Sequence, residues 1–169
     1  MRTSVDVHNY LIEREVPHEV FSARGRLRSP ERLAAVLDLP PDQVGKVVVF
    51  EGPKATVAAV VPAGTAADVA KVRQAAGNKQ LSPATNERAS ELTEYLAESV
   101  PPVGLPNGFA LVVDRSLDRD DVLYFPGGEA RSVLKIRGRD LVLATDARVA
   151  SIVSEHRPEE RRGSRGTPS

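Results

Sequence analysis

Two apolar runs separated by four residues constrain the fold more than any other feature of the chain. The first reads Val47-Val48-Val49-Phe50, and the second, residues 55–61, carries Thr56, Val57, Val60 and Val61. Short continuous runs of β-branched and aromatic side chains favour strands buried on both faces. The Gly52-Pro53 turn between them closes the pair into a β-hairpin at the centre of a sheet. Lys46 stands at the mouth of the first strand. An ammonium beside a dry strand either snorkels outward or is held for a purpose. The hairpin is therefore read as the floor of a pocket, with Lys46 as its one polar fixture.

The flanking segments supply further strands and helices. Ser4 caps a helix bearing Val5, Val7, Leu11 and Ile12, which ends by Pro17, and residues 18–22 form a short strand. Arg24, Arg26 and Arg28 follow in a loop, either as a solvated face or as an anion-facing rim. Ser29 and Pro30 open a helix with an apolar face of Leu33, Ala34, Val36, Leu37 and Leu39, stopped by Pro40-Pro41. Thr65 caps a helix over residues 66–76, Gly77 ends it, and residues 84–96 form another. A proline-rich loop over residues 101–106 leads to the Asn107-Gly108 turn. That turn opens a strand over 109–113, closed by Asp114. Strands at 122–125 and 132–136 flank the Pro126-Gly127-Gly128 turn, and residues 140–153 have helical spacing. Five or six strands and four or five helices make an α+β fold. Its sheet is mixed, mainly antiparallel, partly barrel-like and flanked by helices. Residues 156–169 lack apolar side chains and are expected to be a disordered tail, leaving 1–155 as a single domain.

Composition removes several function classes. The chain has 169 residues, with 23 basic and 23 acidic side chains, so no global charge points to nucleic acid. Cysteine is absent, which excludes a thiolate nucleophile and Cys-based metal sites and fits a cytoplasmic protein. His8, His18 and His156 lack metal-ligand spacing, so no metal and no other cofactor are expected. Aromatic residues make up 4% with no Trp, which disfavours a base-stacking platform. The first ten residues hold no apolar run, and no stretch is apolar for long enough to span a bilayer. Neither a signal peptide nor a membrane association is expected, and a monomer is the default. No Gly-rich nucleotide loop or nucleophile elbow occurs. What remains is a set of loops at strand ends: Gly45-Lys46, residues 101–105, Asp114 and Gly127-Gly128. Glycines there permit close backbone approach to a ligand, and equally serve ordinary turns.

These residues, in this order, resemble the YbaK/ProX family of aminoacyl-tRNA editing domains, also found inserted in bacterial prolyl-tRNA synthetases. The likeness runs over residues 29–153. It rests on the lysine-bearing strand at 41–50, Ala58-Ala59-Val60-Val61-Pro62, Lys79, Leu81, Pro102-Val103-Gly104, the strand ending in Asp114, and Gly127-Gly128. The resemblance implies metal-free hydrolysis, in trans, of the ester joining a wrong amino acid to the terminal adenosine of a tRNA. That activity serves translation fidelity. Lys46 is implied as the catalytic residue, contacting the terminal adenosine or the ester. Gly45, Pro102, Val103, Gly104, Asp114, Gly127 and Gly128 are implied to bind substrate. The implied partners are the acceptor end of an aminoacyl-tRNA and, second, an aminoacyl-tRNA synthetase.

The sequence departs from the family pattern at five places. Glu94 and Glu98 stand where glycines are usual, Val47 and Pro126 where hydroxyl residues are common, and Val133 where an acid is common. These departures motivate an alternative, a binding module of the same fold with inactive or altered chemistry that recognises a tRNA end, a nucleotide or a synthetase. A small-molecule hydrolase or ligand-binding protein unrelated to tRNA is a third reading.

Overall fold

The structure is a computed structural model that describes residues 1–154; the tail expected over 156–169 lies outside the described residues. Helix α1 (Ser4–Glu13) is capped by Thr3, one residue earlier than expected, because Asp6 completes a reciprocal capping box with it. Strand β1 (Glu19–Ser22) follows. Helix α2 (Pro30–Leu37) starts as expected: the Ser29 hydroxyl accepts a hydrogen bond from the Arg32 N–H and Pro30 occupies the first turn.

The hairpin is present as β2 (Gly45–Gly52) and β3 (Ala55–Pro62), antiparallel, with Lys46 opposite Val61. Helix α3 (Val69–Ala76) begins three residues later than the spacing predicts. Asp68, not Thr65, accepts the capping hydrogen bond, while the Thr65 hydroxyl donates to the Pro62 carbonyl. Strand β4 (Ser82–Pro83) pairs with β2. Helix α4 (Asn86–Thr93) is shorter than expected and stops where Glu94 turns left-handed at φ 66°. Strands β5 (Phe109–Asp114), β6 (Val122–Pro126) and β7 (Ser132–Arg137) lead into α5 (Gly138–Thr145). The helix expected over 140–153 ends there because Asp146 is left-handed at φ 54°. The following residues extend as β8 (Arg148–Ala150) beside β5.

The strands form two sheets, ordered β1-β7-β6 and β4-β2-β3-β5-β8. The pairings β3–β5 and β5–β8 are parallel and the other named pairs antiparallel, so the architecture is the mixed, mainly antiparallel α+β fold expected. No closed barrel forms among the described residues. Ala58, Ala59, Val60 and Val61 are fully buried, as a central strand covered on both faces requires. Fully burying one such valine contributes about 1.5–3 kcal/mol. One face of the hairpin meets a core of Val60, Val113, Leu123, Phe125 and Leu134. The other meets Phe50, Val61, Val72 and Leu81. No described helix is long and apolar enough to cross a membrane.

Candidate active site

Lys46 is the one partly accessible residue of the eight implied by the sequence; the other seven are buried. Its side chain is 23% exposed, and its Nζ lies 3.3 Å from Glu31 Oε2 on α2. The same oxygen accepts a hydrogen bond of 2.8 Å from the Gly64 N–H, just past β3. Burial pushes the Glu31 carboxyl up. Hydrogen bonds from the Gly64 and Glu31 N–H groups, with the Lys46 charge, outweigh it and hold the group below its ordinary value. Glu31 thus presents Lys46 at the strand mouth as an ammonium with a single side-chain partner. An exposed pair of this kind is worth about 0–1 kcal/mol, so an incoming phosphate can replace it.

The buried residues divide among three places. Gly45 lies against Phe125: a Cβ there would fall 2.2 Å from Phe125 Cε2, so only glycine lets β2 and β6 approach this closely. Phe125 leads directly into Pro126, Gly127 and Gly128. The Gly127 N–H donates to the Ser132 carbonyl and the Gly128 N–H to the Ser99 carbonyl. Both amides are engaged within the fold. Gly128 has φ +101°, a conformation that L side chains rarely adopt. The turn therefore acts as a wall rather than a set of free donors. Between it and residues 98–99 lies a narrow crevice lined by Leu27, Ser29, Glu98, Ser99, Pro126 and Ser132.

Pro102, Val103 and Gly104 lie farther along the same loop. They form one side of a pocket of about 190 Å³ whose opposite side includes Tyr10, Arg14 and Thr145. The Tyr95 hydroxyl anchors this stretch by donating to the Gly104 carbonyl at 2.7 Å. Burial, with Asp6 acting in the same direction, raises the Tyr95 hydroxyl well above its ordinary value and keeps it a donor. Asp114 sits apart from both places. Its carboxylate accepts from the Ser116 N–H and hydroxyl and, at 2.9 Å, from the Ile152 N–H. It ties the end of β5 to the segment after β8.

Several residues of this region carry weak signals in the sequence. Glu31 reads as a helix first-turn acid, suited to the dipole there, and nothing marks it as the partner of Lys46. Arg26 is one of three arginines in a loop, yet its Nε bonds Glu98 Oε2 at 2.7 Å. Glu129 Oε2 accepts from both the N–H and the hydroxyl of Ser4, at 2.8 and 2.6 Å, which holds its carboxyl below the ordinary value. Among the described residues no group of three or more His, Asp or Glu side chains is placed to hold a metal ion.

The family known as the aminoacyl-tRNA editing domain matches residues 25–143, more than half the chain. The chain belongs to the aminoacyl-tRNA editing domain family. Among solved structures it is similar to the hypothetical protein APE2540, at 28% identity and a TM-score of 0.82, covering 88% of this chain and 99% of that one. It is also similar to a proposed trans-editing enzyme for prolyl tRNA synthetase, at 24% identity and a TM-score of 0.79, covering 91% of this chain and 98% of that one. At that identity the second likeness is one of fold. No curated protein matches the chain. The matched editing-domain segment contains Lys46, Glu31, the crevice and the whole of the 94–104 loop.

Proposed function

We propose that the protein is a trans-editing aminoacyl-tRNA deacylase, a hydrolase that cleaves the ester of a mischarged tRNA, with Lys46 contacting the terminal adenosine or the ester. The observation that carries this reading is the ammonium of an editing-domain chain, held at the mouth of β2 by one replaceable carboxylate. A fixed cation in a partly dry site binds phosphate or ribose oxygens and stabilises charge that develops on a carbonyl oxygen. The acceptor end of tRNA is the partner this chemistry recognises. The related fold of a proposed trans-editing enzyme for prolyl tRNA synthetase favours tRNA carrying the wrong amino acid for proline among the first candidates.

The test is deacylation of a panel: Ala and Cys on proline tRNA, and Ser on alanine and threonine tRNAs. Turnover of one pair by the parent protein, reduced about 100-fold or more in Lys46→Ala, is the expected result. Equal rates for parent and variant would remove Lys46 from the chemistry. A binding module without hydrolysis is the second reading, favoured by the Arg26–Glu98 bridge at the crevice. Clear turnover at substoichiometric protein eliminates it.

A further inference from the structure

We propose that Glu98 is the general base of the reaction, acting on a water held by Ser99 in the crevice between the 94–104 loop and the Gly-Gly turn. The proposal rests on the deacylase reading above and assigns the proton transfer within it.

Ser99 is 2% exposed, and its hydroxyl is the one buried side-chain polar atom without a hydrogen-bonding partner among the described residues. Its backbone is fixed on both sides, the N–H to the Leu96 carbonyl at 2.9 Å and the carbonyl to the Gly128 N–H at 3.0 Å. Rotation about χ1 is the freedom the hydroxyl retains, and the crevice that the residue lines is the space beside it. A buried hydroxyl in that state is disfavoured unless a ligand completes it. The crevice that Ser99 lines has a volume of about 10 Å³ over the positions a water centre can take, which is room for a single water. Ser132, 8% exposed, lines the same crevice and supplies a second hydroxyl.

Two carboxylates line the crevice: Glu129, whose Oε2 is committed to the N–H and hydroxyl of Ser4, and Glu98, which remains 27% exposed at the side chain. Glu98 Oε2 is bonded to Arg26, whose side chain is 50% exposed. Its Oε1 has no hydrogen bond among the described residues. A guanidinium binds phosphate in two-pronged geometry better than it holds one carboxylate oxygen. An arriving RNA 3′ end draws Arg26 toward its phosphate and leaves the carboxylate oxygen free to accept from the water. Lys46 does not line the crevice; its partner Glu31 is two residues from both Ser29 and Leu33, which do. Glu98 thus takes the proton transfer, and Lys46 keeps the contact with the adenosine or the ester.

The step balances without another reactant. Glu98 accepts a proton from the water as the water oxygen bonds the ester carbonyl carbon. The tetrahedral oxyanion collapses, the bond from that carbon to the ribose oxygen breaks, and the proton held by Glu98 passes to the departing ribose oxygen. The products are a free amino acid and a tRNA with a free terminal hydroxyl.

The experiment measures kcat and KM against pH on the charged-tRNA panel for parent, Glu98→Gln, Glu98→Gly and Ser99→Ala proteins, with Tm for each. Glu98→Gln keeps the shape and an oxygen for Arg26, so the fold is retained. Both Glu98 variants should lose about 100-fold in kcat with KM little changed. Ser99→Ala should lose about tenfold in kcat with little change in Tm, since the hydroxyl it removes has the crevice water as its one partner. A Glu98→Gln or Glu98→Gly protein as fast as the parent, or faster, overturns the proposal and makes Glu98 an obstruction. A parent that hydrolyses none of the charged tRNAs while remaining folded removes the deacylase reading, and the base with it.

Discussion

Glu94 and Glu98 stand four residues apart in one loop, both where the family resemblance leads one to expect glycine, and the structure treats them differently. Glu94 closes α4 in the left-handed region at φ 66°. Its carbonyl accepts from the Arg2 N–H at 2.7 Å, and its carboxylate reaches into solvent beside the Arg2 guanidinium. Glu98 has no such backbone constraint and turns its carboxylate toward a crevice. Glycine at the first position serves conformation, and a side chain is tolerated there at the expense of strain. Glycine at the second leaves space, and a side chain there changes what the space can do. Two departures of the same type therefore have different meanings, one for the backbone and one for the chemistry.

The largest effect that bears on this contrast belongs to Tyr95, which joins the two ends. Its ring is fully buried beside Gly128, and its hydroxyl bonds Gly104. Tyr95→Ala should lower stability by about 3–5 kcal/mol in urea denaturation. The Glu98 crevice should then lose its fixed wall. Tyr95→Phe keeps the ring and leaves the Gly104 carbonyl with only the long Arg2 hydrogen bond at 3.5 Å, which costs about 1 kcal/mol. A Tyr95→Phe protein as stable as the parent would mean that packing alone sets the loop, and the contrast between its two ends would weaken.

Most of the scaffold was legible because its signals are local. The valine runs give β2 and β3, Ser29-Pro30 gives the start of α2, and Asn107-Gly108 opens β5. The misplaced boundaries fall where one side chain decides. Asp68 outcompetes Thr65 as a cap, and the left-handed Asp146 ends α5 so that Arg148–Ala150 extends along β5. The pairing of β5 with β3 and β8 depends on long-range contact, which no local pattern encodes. The candidate site was less legible for the same reason. Lys46 stands out in the sequence, but its partner Glu31 is 15 residues away, and Glu98 meets Arg26 across 72. Asp114 is implied as a substrate-binding residue by the resemblance; in the fold its carboxylate accepts from the Ser116 N–H and hydroxyl and from the Ile152 N–H.

A pair of identical substitutions sharpens the contrast further. Glu94→Gly relieves a left-handed residue, worth about 1–2 kcal/mol, against an exposed ion pair and the added freedom of the unfolded chain, each worth less. It should raise stability by about 0.5 kcal/mol. Glu98→Gly relieves nothing and enlarges the freedom of the unfolded chain, so it should lower stability by about 0.4–1 kcal/mol. Opposite signs of ΔTm four residues apart would confirm that only the first position is conformational. Equal signs would erase the distinction.

The smallest effect concerns a third glutamate, Glu31, which combines the two roles by binding a backbone N–H and the Lys46 ammonium together. Its carboxyl lies below the ordinary 4.5 in the folded protein. A group depressed on folding contributes stability that is fully present above its unfolded value and is lost as pH falls through the folded one. Because the side chain is 47% exposed, solvent screening limits that contribution to a few tenths of a kcal/mol. Glu31→Gln should therefore flatten the loss of stability on acidification slightly, measured by urea denaturation at neutral pH and below pH 4.5. The same variant leaves Lys46 without its counter-charge. If Lys46 meets the nucleotide, the variant should bind the acceptor end more tightly at neutral pH and with a steeper dependence on salt. A variant that loses stability without any change in that salt dependence would place Glu31, and Lys46 with it, among the purely structural pairs.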